Sequence, residues 1–481
     1  EGIPSVFFYS KAAGTLCGET AVRGRAKPVQ NRINRLKRHL GETMTLDGRE
    51  ISYDEAITEV IQHCVRSANK KLQSGWQMTT NEIALSYPAT YTSAQRQRLI
   101  ELAEKASLAD GTQVHVSGTI AEPAAAGLDY LSRFGSDKET TVLVYDLGGG
   151  TFDLALVALY PKGRTNGDGD YYYDILAVDG LEDVGGGEFD EIMYQLIEQK
   201  LQVPLNPSHK AALRAEAEKI KKDLTFDAYA DAEVLYNNEY LTVRVTREEF
   251  ETASRELLMR TIEATKKMFE RHSNQKPETI ILTGGASQMP MVKRALEEAF
   301  PEYKGDEMKH KEDKIQISNP SRAIADGAAR YGTAEAMNDI AEKAEAVSVV
   351  QTRVGYDLGI RFYHSVDDES GYISTYIPAG TPIPYQAAYQ NSTTLHEDQR
   401  YSGFTVYEAN KAHPDSEQVA EDYTEIMKVS LDHGREVPKG TRNESRLCID
   451  KLGVLTIEAR EADHPEKPIK STVELKNLSK S

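Results

Sequence analysis

The chain has 481 residues, 75 acidic against 57 basic side chains, a formal net charge of −18 and 40% hydrophobic content. This acidity, without a polybasic run, excludes nucleic acid and an anionic membrane surface as expected partners, and no long apolar run or charged leader points to insertion or secretion. Cys17, Cys64 and Cys448 are far apart and form no CxxC, which suggests a reducing compartment and a cytoplasmic location.

Apolar residues at Ala56, Ile57, Val60, Ile61, Cys64 and Ala68 keep a helical period over 54–72, behind an acidic first turn, with Cys64 as a core thiol. Strands are expected at 82–87 and 141–147, and amphipathic helices at 208–224, 247–271, 288–299 and 322–347. This alternation predicts an α/β body to about residue 345. From Val354 short β-rich runs at 373–377, 404–407 and 454–458 alternate with Pro, Gly and Asn turns, predicting a second, all-β domain. Gly355-Tyr356-Asp357-Leu358-Gly359 looks like a phosphate loop, but it opens the β-rich region and is read as its first strand.

The stretch 141–157, TVLVYDLGGGTFDLALV, carries the most chemistry. Gly148, Gly149 and Gly150 leave no Cβ between backbone N–H groups and a ligand, so a hairpin tip here can curl around a phosphate. Asp146 and Asp153 flank the tip, and carboxylates beside a polyphosphate call for a divalent cation or its water shell between them. Thr151 adds a hydroxyl. Two further glycine clusters open helical patterns, Gly185-Gly186-Gly187 before an acidic first turn and Gly284-Gly285 before Gln288. Each alone also suits an ordinary tight turn.

DLGGGTFD at 146–153 resembles the second phosphate loop of the 70-kDa heat-shock chaperone family, the DnaK type, within the actin-like ATPase superfamily. The likeness extends in order along the chain. Leu36-Lys37-Arg38-His39-Leu40-Gly41 is similar to the family's KRHMG stretch, and Ser86-Tyr87-Pro88-Ala89-Thr90-Tyr91 with Gln95-Arg96-Gln97 to VPAYF…QRQ. Ala121-Glu122-Pro123-Ala124-Ala125-Ala126 resembles NEPTAAA, and Asn319-Pro320 through Gly327-Ala328-Ala329 resembles NPDEAVAYGAA. Leu358-Gly359-Ile360, 377–384 and Lys451-Leu452-Gly453 resemble segments of its β-sandwich.

The resemblance implies an α/β actin-like, two-lobed ATPase domain at 1–345 without its first strands, a linker at 346–353, and an all-β sandwich peptide-binding domain at 354–481 without a helical lid. It implies an ATP-dependent chaperone that uses ATP/ADP and Mg²⁺ and binds unfolded or extended polypeptide, with J-domain and nucleotide-exchange cochaperones as partners. By position, Lys37 would contact the γ-phosphate or attacking water, Glu122 and Asp146 would hold hydrated Mg²⁺, and Thr151 and Asp153 would line the loop. Otherwise Lys37 would sit on a solvated basic face with Arg35 and Arg38. Nucleotide contacts would come from Gly148, Gly149, Gly150, Gly185, Gly186, Glu218, Lys221, Lys222, Thr225, Gly284, Gly285 and Gln288. Ile360, Tyr363, Phe404 and Val406 match peptide-cleft positions or are ordinary sandwich core, and Pro88 with Arg96 matches the family's interdomain switch.

Three departures accompany the likeness. Lys222 and Gln288 stand where the family has two arginines that sandwich the base, and an ammonium or amide stacks less well than a guanidinium. The residues match the family from a point downstream of its DLGTT-type loop, which normally adds phosphate donors. The segment 346–353 keeps only the apolar residues of the family linker. These departures favour the alternative of a divergent scaffold or holdase with weak or lost ATPase activity. A kinase of the same superfamily is disfavoured by the β-rich region.

Overall fold

Along Thr140–Leu147, Val142 and Val144 point to one face while Leu143, Tyr145 and Leu147 point to the other, and all five are fully buried. A strand that is apolar on both faces must be covered on both. The computed structural model, which describes the chain apart from residues 1–2, 24–28, 92, 136–137, 162–170, 237–238, 307–311, 319–321, 341–348, 353, 355, 369, 410–422, 451–452 and 475–481, shows how. Six strands form one mixed sheet in the order Ile315–Ile317, Thr279–Thr283, Thr140–Leu147, Phe152–Pro161, Tyr171–Leu181, Val349–Thr352. Thr279–Thr283 runs parallel to Thr140–Leu147, and the next two strands return antiparallel as a meander.

One face packs Ala124, Ala125, Leu128 and Leu131 of the helix Glu122–Phe134 on Val142, Val144, Ala155 and Val157. The other face packs Phe189, Met193 and Ile197 of Gly186–Leu201, and Leu258 and Ile262 of Arg247–Arg271, on Leu143, Tyr145, Leu154 and Leu156. Each such side chain contributes roughly 1.5–3 kcal/mol. The helix Arg247–Arg271 has its expected bounds because Thr246 and Glu249 form a capping box. A separate core unites Phe7, Leu36, Leu46, Ile57, Val60 and Leu99, with Cys64 half-buried against it. It belongs to the front of the chain, with the helix Tyr53–Trp76 and the parallel pair Glu82–Tyr87 and His115–Ala121.

Part of the expected linker is strand. Residues 346–348 and 353 lie outside the described residues, but Val349–Thr352 is an edge strand that pairs in parallel with Tyr172–Ile175 of the mixed sheet. The first described strand of the β-rich region is Leu358–Phe362; Gly355 lies outside the described residues, as do Asn319, Pro320, Lys451 and Leu452. Its two sheets, of four and five strands, close on one core that includes Leu358, Ile377, Leu447, Leu455 and Ile457.

Candidate functional site

The hairpin between Thr140–Leu147 and Phe152–Pro161 turns on the three glycines. Gly148 N–H donates to the Thr151 carbonyl at 3.0 Å, closing the tip, while the Gly148 and Gly149 carbonyls accept from Gly186 N–H (2.8 Å) and Gly187 N–H (3.0 Å). The tip is therefore tied to the first turn of Gly186–Leu201, and a Cβ on Gly149 would meet only open space. That space is a cleft of about 1030 Å³. Of the expected residues, Lys37, Pro88, Glu122, Gly148, Gly149, Gly150, Thr151, Gly186, Glu218, Lys221, Lys222, Thr225, Gly285 and Gln288 line it.

Asp146, Asp153, Gly185 and Gly284 do not line the cleft; they form the packing behind it. Gly284 has φ +80°, and a Cβ there would lie 2.4 Å from Asp146 Oδ1 and from the Leu147 carbonyl, so Gly284 is a close-packing device while Gly285 faces the cleft. Asp153 accepts from Ala89 N–H at 2.7 Å and from the Thr151 hydroxyl at 2.6 Å. Burial and the nearby Glu122 push its carboxyl up to about 7, against those two hydrogen bonds and Lys37. Burial, Asp153 and Glu122 likewise push Asp146 well above the usual carboxylate range. Its Oδ1 is buried with no hydrogen-bond partner.

The cations Arg35, Lys37 and Arg38 are partly exposed but each faces an acid. Lys37 pairs with Glu122, the first residue of Glu122–Phe134, and donates to the Ser86 carbonyl at 3.3 Å. Arg38 forks onto Glu188 at 2.8 and 3.2 Å, and Arg35 lies against Gly187, 3.6 Å from Asp190. Lys221 is a buried strut between two helices, bonded to the Gly186 carbonyl at 2.8 Å and to Asp190 at 2.6 Å. Lys222 pairs with Glu218 on its own helix at 2.7 Å. Arg35, Arg38, Glu188 and Asp190 were missed as site residues, although an acidic first turn after a glycine cluster was their signal.

Pro88 sits at the cleft wall beside Ala89, the donor to Asp153, while Arg96 is buried and lies over the Tyr87 ring, 5.3 Å from its centroid. In the β-rich region Ile360, Phe404 and Val406 are inside the sandwich core, so the core reading replaces the cleft reading for these three. Tyr363 is exposed, with the Arg361 guanidinium 5.0 Å from its ring centroid.

The family model described as Hsp70 protein matches residues 44–480. The chain belongs to the Hsp70 family. It is 28% identical over 480 residues to the Chaperone protein DnaK of Thermosipho africanus, covering 95% of this chain and 72% of that protein. It is 28% identical over 430 residues to the Chaperone protein DnaK of Thermotoga neapolitana (85% and 65%) and 27% over 522 residues to that of Thermotoga maritima (98% and 80%). The Hsp70 family is one of chaperones that bind ATP or ADP. Among the described residues no helix is long and apolar enough to cross a membrane.

Proposed function

We propose that this Hsp70 chain is a cytoplasmic, ATP-regulated chaperone whose α/β part, 1–345, is a two-lobed actin-like nucleotide-binding domain and whose sandwich, 354–481, binds extended polypeptide. The observation that carries the reading is the glycine tip, Gly148–Gly149–Gly150, open at Gly149 and facing a cleft lined by Lys37, Glu122 and Thr151. The residues also fit a cation. Burial, Asp153 and Glu122 raise the proton affinity of Asp146, burial and Glu122 raise that of Asp153, and the orphaned Asp146 Oδ1 lacks a donor. Among the described residues no three ligands converge on a metal, so Mg²⁺ would be held through water and phosphate oxygens, near Asp146 and Glu122.

Such a cation would neutralise phosphate charge. The chain's own residues then position: the tip's backbone N–H groups cradle phosphate oxygens, Thr151 adds a donor, and Lys37 and Glu122 hold and orient water beside the transferred group. Glu218, Lys222, Thr225, Gly285 and Gln288 supply the nucleoside side. J-domain and nucleotide-exchange cochaperones are proposed partners on family grounds. Calorimetric titration with ATP and ADP in Mg²⁺ tests the reading. Saturable binding that Lys37→Ala and Asp146→Asn weaken is expected; no binding of either nucleotide refutes it.

A second reading has its own observation. Lys37, Arg38, Lys221 and Lys222 are all already paired with acids, which fits a holdase whose cleft no longer takes nucleotide. It predicts peptide affinity that nucleotide does not change.

A further inference from the structure

A nucleotide base needs a flat face, and the cleft offers few. Three of its lining residues carry aromatic rings: His39, Tyr91 and Phe226. His39 is spent on Tyr53, 4.8 Å between ring centroids, and on Glu42 at 3.0 Å. Tyr91 is buried and its hydroxyl donates to the Lys37 carbonyl at 2.7 Å. Phe226 is 80% exposed, the most exposed large apolar side chain among the described residues.

Its position is fixed rather than loose. Phe226 follows the helix Pro207–Asp223, and its N–H bonds the Asp223 carbonyl at 3.0 Å. Leu224 is buried in the core, and Arg247 reaches from the next helix to the Leu224 carbonyl at 2.8 Å and the Thr225 carbonyl at 3.5 Å. On the same helix Lys221 Nζ touches Gly186, which binds the glycine tip. Lys221 and Phe226 stand on either side of the helix end, and both line the cleft that the glycine tip faces. A phosphate at the tip thus leaves a base within the neighbourhood of this ring. Positions 222 and 288 carry an ammonium held by Glu218 and an amide, and the two guanidinium groups that line the cleft, Arg35 and Arg38, are paired with Asp190 and Glu188.

We infer that Phe226 is the stacking platform for the nucleobase in this chain. The inference rests on the nucleotide reading above. A ring stacks on any base, so the site tolerates guanine as well as adenine, with selectivity left to the polar edge at Glu218, Thr225 and Gln288. Phe226 is exposed, so Phe226→Ala removes the ring with little cost to folding.

The test is calorimetric titration of wild type and Phe226→Ala with ADP, GDP and inorganic tripolyphosphate. The expected result is a loss of about 5- to 150-fold for both nucleotides, with tripolyphosphate affinity unchanged. Phe226→Trp in a Trp76→Phe background, which removes the sole native tryptophan, should be quenched on adding ADP but not tripolyphosphate. Equal ADP affinity in wild type and Phe226→Ala, or equal loss of ADP and tripolyphosphate, overturns the platform while leaving the cleft reading standing. A wild-type chain that binds neither ADP nor tripolyphosphate overturns the cleft reading itself.

Discussion

Asp153→Asn gives a stability change whose sign depends on pH. In the folded chain the Asp153 carboxyl ionises near 7; its ordinary value is 3.8. Between those values the folded state keeps a proton that the unfolded chain has released, so stability falls as pH rises through the window. Above about pH 7 both states are ionised and the whole cost is present. A shift of about three units corresponds to roughly 4 kcal/mol at 1.36 kcal/mol per unit. Asparagine removes the titration, and its amide can still meet Ala89 N–H and the Thr151 hydroxyl, the partners at 2.7 and 2.6 Å. Urea unfolding of both proteins at pH 5, 6, 7 and 8, followed by circular dichroism, reads the difference. The mutant should gain on wild type from pH 5 to 7 and hold its advantage at pH 8. Parallel curves would show that Asp153 is ionised throughout, and the argument from burial would fail.

Gly284→Ala should cost about 2–5 kcal/mol, because alanine at φ +80° is strained and its Cβ meets the Leu147 backbone; urea unfolding checks it, and a neutral result refutes the close-packing role. Lys221→Met leaves Asp190 buried beside a single Arg35 contact at 3.6 Å, and a loss of about 3–5 kcal/mol is expected in the same assay. Burial works to raise Glu458 in the sandwich, but hydrogen bonds from Lys470, Arg446 and Tyr389 outweigh it and hold its carboxyl at about 2. Its contribution is present above about pH 4.5 and is lost as pH falls toward 2, so Glu458→Gln should flatten the acid limb of the sandwich's melting curve.

What the sequence revealed was local. The glycine tip with its two aspartates occupies eight consecutive residues, and the start of Arg247–Arg271 follows from a capping box four residues long. The pairs that organise the cleft span far more chain: Lys37 meets Glu122 across 85 residues and Arg38 meets Glu188 across 150. No periodicity reports such partners. The strand Val349–Thr352 is set by an unpaired sheet edge elsewhere, which its own residues do not encode. In the sandwich, Phe404 and Val406 share a face by period two, and Ile360 sits opposite Val406 in the ladder. The family resemblance grouped these residues but left cleft and core both open, because which face is covered depends on how the two sheets close on each other.

Each Lys and Arg that lines the cleft is spoken for: Arg35 and Lys221 by Asp190, Lys37 by Glu122, Arg38 by Glu188 and Lys222 by Glu218. An arriving phosphate must therefore take a cation from a carboxylate or rely on the backbone N–H groups of the tip. Lys37 is the one to watch, since its side chain is 43% exposed and its second contact is a carbonyl at 3.3 Å. If partner exchange limits anion affinity, Glu122→Gln should free the ammonium and tighten tripolyphosphate binding in the absence of Mg²⁺. A hydrogen bond to a charged group is worth roughly 1.5–3 kcal/mol, which corresponds to about tenfold or more. The gain should shrink with added salt, because the released ammonium is partly exposed. Unchanged or weaker binding in Glu122→Gln would mean that the backbone of the tip, and not Lys37, sets the affinity of the cleft for phosphate.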